Sequence, residues 1–164
     1  MAFKSVSGQM IPQALSDTST TQKLAIGQVV RAIDPILGGG EFIYLKGVAS
    51  TVVSSVVTYD LVAGTTVLAP STANLAQPLA VSMSANVANQ YGFYQISGLA
   101  VAATNGTLSG AGVPVYLAGT GQVTSTQANG KQVVGATSSS ATGTPATAQA
   151  YVTINRPFAQ GQAV

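Results

Sequence analysis

From Leu24 onward the chain is written in short runs of Val, Ile, Tyr and Thr, each broken after about eight to twelve residues by Gly, Pro or Asn. Branched and aromatic side chains fit a pleated surface, and Gly, Pro and Asn supply the turns, so this punctuation favours strands over helices. No stretch carries a 3.6-residue apolar period with caps. The candidate strands are Gln28–Ile33, Glu41–Lys46, Ser55–Tyr59, Thr66–Leu68, Leu79–Met83, Gly92–Ser97, Val113–Leu117, Gln122–Thr126, Gln132–Ala136 and Gln149–Asn155. Leu99–Ala103 and Asn86–Gln90 contain Ala, and either fits a single helical turn. Gly38-Gly39-Gly40 supplies positive φ freely, and Asn105-Gly106 and Asn129-Gly130 are the preferred pair for a type I′ hairpin. The expected fold is all-β, a compact small barrel or sandwich. Residues 1–24 form an extended N-terminal arm, residues 25–158 a single β-domain, and residues 159–164 a frayed C-terminal tail.

An internal repeat adds detail. Glu41-Phe42-Ile43-Tyr44-Leu45-Lys46-Gly47-Val48-Ala49 aligns with Gly92-Phe93-Tyr94-Gln95-Ile96-Ser97-Gly98-Leu99-Ala100. Val57-Thr58-Tyr59 with Gly64 and Val67 then matches Val115-Tyr116 with Gly119 and Val123, and Leu79–Ser82 matches Gln132–Gly135. An aromatic strand follows each unit, at 91–96 and at 151–154, so the first of these closes one unit and opens the next. The physical reading is two similar β-meanders closing on one core, which hides sheet edges. Chance similarity among Val/Gly/Tyr-rich strands is the competing reading.

Charge narrows the function. Charged residues are 6% of the chain, against about 25% in typical soluble domains. Ser, Thr, Gln, Asn and Gly must therefore cover the surface, and copies repel one another weakly. The net charge is +2 from six Lys and Arg spread along the chain. That is no phosphate-tracking stripe, which argues against a nucleic-acid partner. There is no Cys and no His, so there is no disulfide framework and no Ser-His-Asp or Cys-His arrangement. No apolar run reaches about 18 residues and the start lacks a signal peptide's apolar segment, so the expectation is synthesis in a cytoplasm with no membrane association.

The remaining chemistry-bearing residues point to no reaction. Asp34 and Glu41 flank the Gly-rich hairpin and are the one candidate carboxylate pair, with solvated turn ends as the alternative reading. Gly130-Lys131 lacks the rest of a P-loop, and Asn105-Gly106-Thr107 is read as a turn ahead of a glycosylation sequon. No catalytic, cofactor-binding or metal-ligating residue is assigned, and no enzymatic activity is expected. Tyr44, Tyr59, Tyr94, Tyr116 and Tyr151 fall in or beside strands, as core or rim residues or as a flat contact face. Met10, Ile11 and Leu15 are the arm's anchors onto a neighbour, or part of a loose terminus. Arg156-Pro157-Phe158 is a strand terminator, or an anchor, because Arg and Phe are enriched at interface centres.

Gly40–Ser50 followed by Val56-Val57-Thr58-Tyr59-Asp60, then Tyr91–Gly98, then Asn155-Arg156-Pro157-Phe158, resemble capsid decoration (cement) proteins of tailed bacteriophages. The resemblance spans roughly residues 25–158, with Ser54-Ser55 standing where a Gly-Ser turn is expected. It implies a β-rich knob on the outer surface of the phage head, made in the host cytoplasm. The knob binds the major capsid protein and itself, often as a homotrimer, and cements capsomers. The interface residues expected on this reading are Met10, Ile11, Leu15, Arg156 and Phe158. A carbohydrate-binding β-sandwich module and a tail or fibre component are the alternatives.

Overall fold

The computed structural model describes residues 4–5 and 11–162. Its strands are β1 (Lys4–Ser5), β2 (Val29–Asp34), β3 (Gly38–Lys46), β4 (Val56–Asp60), β5 (Thr65–Leu68), β6 (Leu79–Ser82), β7 (Tyr91–Ala103), β8 (Pro114–Ala118), β9 (Gln122–Thr124), β10 (Gln132–Ser138) and β11 (Gln149–Ala159). The described residues contain no helix, so the all-β expectation holds. Every candidate strand overlaps an observed one. Leu99–Ala103 is not a helical turn. It continues β7 and pairs residue by residue with Gln149–Thr153 of β11, a tertiary pairing that overrides the weak strand preference of Ala. Asn86–Gln90 is a loop. The two Asn-Gly pairs are turns of another type than expected: only Gly106 and Gly130 take positive φ, whereas type I′ needs it at both positions.

Strand pairing explains the repeat. β3 pairs with β7, β7 with β6, β6 with β4 and β4 with β5, all antiparallel, and β5 returns to β3 through a parallel pair at Lys46 and Thr65. That is a closed five-stranded ring. The second unit repeats it: β7 pairs with β11, β11 with β10, β10 with β8 and β8 with β9. A parallel bridge from Val123 to Thr104, just past the end of β7, completes the second ring. The two rings share β7. The aligned segments in β3 and β7 lie side by side, with Phe42 opposite Gln95, Ile43 opposite Tyr94 and Tyr44 opposite Phe93. Ring closure leaves few free edges, which is how small β proteins avoid edge-to-edge association.

Alternation along each strand sorts side chains into three clusters. Ile43, Leu45, Val57, Ala80, Tyr94 and Ile96 fill the first ring. Ala100, Ala102, Val115, Leu117, Val123, Val133, Val152 and Ile154 belong to the second. Val56, Leu79 and Val81 alternate with Val57 and Ala80 and join the second cluster, so the first ring's outer wall packs against the second ring. The third cluster holds Phe42, Tyr44 and Phe93 with Val30, Ala32 and Leu15. Burying one such large side chain contributes about 1.5–3 kcal/mol.

That third cluster changes the reading of the arm. Leu15 is buried and Ile11 and Leu24 pack against the same cluster. Polar bonds fix the segment as well. Lys23 N–H donates to Tyr44 Oη at 3.1 Å, Gln13 Nε2 donates to the Tyr91 carbonyl at 3.0 Å, and Ser19 and Tyr91 exchange backbone bonds of 3.0 and 2.7 Å. From Ile11 the arm runs through bends and a turn, with Asp17 N–H donating to the Ala14 carbonyl at 3.1 Å, and it lies on its own domain. The tail also starts later than expected: Ala159 is buried in β11, and its N–H donates to the Gln77 carbonyl at 2.8 Å. Ser54 takes φ 75°, a left-handed conformation at the position where a Gly was expected.

Candidate functional site

The charged residues that sequence reading left scattered converge at one place. Strand β2 carries Arg31 directly opposite Glu41 of β3, and Arg31 Nη2 lies 3.0 Å from Glu41 Oε1. The other carboxylate oxygen, Oε2, accepts from Arg156 Nη2 at 2.9 Å, across 115 residues of sequence. A β-bulge delivers Arg156 there. In the β10–β11 pairing, Val134 faces Phe158 while Ala136 faces Ile154. One residue, Gly135, therefore stands opposite three, Asn155, Arg156 and Pro157. Gly135 has φ 78°, and a Cβ on it would sit 2.7 Å from the Asn155 carbonyl oxygen. The bulged strand bends and re-aims its side chains.

Arg156 itself takes φ 44°. A left-handed backbone is costly for a residue with a Cβ, by about 1–3 kcal/mol, and is held only where the surrounding structure fixes it. The following proline restricts it further. Arg156, Arg31, Glu41, Gly39, Gly40, Ala32, Ser97 and Asn155 line an open groove of about 460 Å³. Burial pushes the Glu41 carboxyl up, but hydrogen bonds from Arg31 and Arg156, together with their charges, outweigh it and hold the carboxyl below the usual glutamate range. The Arg31 and Arg156 side chains are 76% and 64% exposed, so solvent screens these pairs and each is worth at most about 1 kcal/mol.

Asp34 and Glu41 do not act together. Asp34 Oδ1 accepts from the N–H groups of Ile36 and Leu37 at 2.8 and 2.9 Å, which fixes the β2–β3 turn. Glu41 is engaged by the two arginines. Among the described residues no group of three or more Asp and Glu side chains is placed to hold a metal ion. The tyrosines divide. Tyr44 and Tyr94 are fully buried, whereas Tyr59, Tyr116 and Tyr151 are half-buried. Tyr44 meets Phe93 edge-on at 5.2 Å and stacks on Tyr91 at 6.2 Å.

The expected anchors also divide. Leu15 and Ile11 are taken up by the chain's own third cluster, which corrects their assignment to a neighbour; Met10 lies outside the described residues. Phe158 is 42% exposed and sits across from Val134, 53% exposed. Further large apolar side chains stand out at connections between strands: Ile36 between β2 and β3, Val52 and Val53 between β3 and β4, and Leu61 and Val62 between β4 and β5. Sequence reading missed these, and it missed Arg31 and Glu41 as partners of Arg156. An apolar residue inside a turn signal, as in Asp34-Pro35-Ile36-Leu37-Gly38, was the available clue. No protein-family model, curated protein or solved structure matches this chain.

Proposed function

We propose that this chain is a virion structural protein that decorates the outer surface of a tailed-phage head. On this reading it binds the major capsid protein, associates as a homotrimer and cements capsomers. The observation that carries the reading is the exposed apolar set at Phe158–Val134 and at the turn tips Ile36 and Val62, on a body nearly without charge. Ile36 is 88% and Val62 99% exposed. Large apolar side chains held out by rigid turns lose water-exposed area when a partner covers them, at about 25 cal/mol per Å². Many weak copies then act together through high effective concentration. Contacts of this kind respond little to salt, because few ion pairs are available to screen. The sequence resemblance points the same way.

The test is co-sedimentation of purified protein with expanded, undecorated phage heads, comparing the native chain with Phe158→Ser and Val62→Ser. Saturable binding that either substitution weakens supports the reading. Binding at background level, or binding indifferent to every exposed apolar residue, removes it.

A further inference from the structure

We propose that the groove beside Arg156 is a socket for a carboxylate carried by a partner protein other than a second copy of this chain. The inference goes beyond the decoration reading, because it fixes the chemistry of a contact whether or not the partner is a phage shell protein.

Three observations carry it. The first is placement. The β11 bulge holds Arg156 in a left-handed backbone ahead of Pro157, and the side chain is 64% exposed. Structural strain of this kind gathers at sites that meet a ligand. An arginine offers five N–H donors, and Glu41 accepts from it through Nη2. Glu41 thus positions the guanidinium while most of its donors remain for a ligand. The second is access. A Cβ on Gly39 would have nothing within 4 Å, and Gly39 and Gly40 form a floor without side chains in a groove of about 460 Å³. The third is charge. Two arginines and one glutamate leave the groove with one net positive charge, which suits a monoanion. Planar guanidinium recognises a carboxylate through paired N–H bonds.

The inventory of acids separates a foreign partner from a second copy. The chain has four carboxylate side chains. Asp34 fixes its turn, Glu41 is held by the arginines, and Asp60 accepts from Val62 N–H at 2.7 Å. Asp17 and Asp60 are the exposed two, and with Asp60 tied to its own turn Asp17 is the candidate that remains. A chain of net charge +2 is complementary to an acidic surface and mildly repels its own copies.

The experiment measures anisotropy of a labelled, end-blocked hexaglutamate peptide against hexaglutamine at low salt, using the full chain. Arg156→Gly removes the guanidinium and keeps the backbone conformation, since Gly adopts positive φ at no steric cost. Gly39→Asp supplies an internal carboxylate in open space and serves if Arg156→Gly fails to fold. Hexaglutamate is expected to bind about tenfold tighter than hexaglutamine, and either substitution is expected to abolish the difference, with melting temperature retained. Arg156→Lys loses part of it, because an ammonium makes no fork. Equal binding of the two peptides, or hexaglutamate binding unchanged in both variants, overturns the proposal. So does displacement of the peptide by equimolar inorganic phosphate, which would make the groove a phosphate site. Self-association abolished by Asp17→Asn would assign the socket to a second copy and overturn it as well.

Discussion

Replacing Tyr94 by Phe removes one oxygen from the middle of the first ring. Tyr94 and Asn86 are both fully buried. With the Asn86 amide oriented to satisfy both its ends, its oxygen accepts from Tyr94 Oη at 2.9 Å and from Gly92 N–H at 3.0 Å, while its nitrogen donates to the Gln90 carbonyl at 3.1 Å. Thr66 Oγ1 lies 3.4 Å from the same hydroxyl and also donates to the Lys46 carbonyl at 3.1 Å. The substitution leaves no group wholly unpartnered, so its cost is one buried hydrogen bond and not an orphaned amide, about 1–2 kcal/mol. At about 2–4 °C per kcal/mol for a chain of this size, melting falls by roughly 2–8 °C. The pH dependence sharpens the test. Burial pushes the Tyr94 hydroxyl up. The folded chain therefore holds this proton more tightly than the unfolded one. That contribution is complete below the ordinary tyrosine value of about 10 and is lost as pH rises above it. Denaturant unfolding followed by circular dichroism should show the native chain more stable than Tyr94→Phe at pH 8. The gap should narrow above pH 10, with Tyr59, also raised by burial, contributing equally to both proteins. Equal stability at pH 8, or a gap that widens with alkali, would refute the reasoning.

Three further outcomes follow from the same structure. Gly47→Ala is expected to cost about 1–3 kcal/mol or more, because the added Cβ would overlap the Asn86 carbonyl oxygen; Gly39→Ala, facing open space, should stay within about 0.5 kcal/mol in the same unfolding assay. Leu15→Ala should cost about 2–3 kcal/mol at any protein concentration, since Leu15 is buried in its own chain; a loss that appears only on dilution would place it at a neighbour instead. Glu41→Gln should cost at most about 1 kcal/mol near neutrality. Because the Glu41 carboxyl is held low, its contribution is present above the ordinary glutamate range and disappears as pH falls through the folded value, so native and variant melting curves should converge in acid.

What the sequence could reveal depended on how local the signal was. Strand positions are set by short runs and turn residues, and Glu41–Lys46, Gly92–Ser97 and Gln149–Asn155 all lie within observed strands. The repeat was legible in Phe42 and Phe93 with their neighbours, including the double role of the strand at 91–96. The shared strand and two closed rings came only from pairing across the fold. Leu99–Ala103 misled because its partner, Gln149–Thr153, is distant in sequence. Leu15 misled because an apolar residue in a polar stretch reads alike whether it is covered by its own domain or by another. Arg156 was legible as a candidate, but its setting was not. Glu41 lies 115 residues away, and the bulge that joins them arises from pairing opposite Gly135.

Scanning calorimetry of expanded, undecorated phage heads, with and without saturating purified protein, tests the cementing role most directly. The account predicts that shell melting moves to higher temperature as added protein approaches saturation and that Phe158→Ser reduces the shift. A shell transition that stays at the same temperature under saturating protein would contradict it.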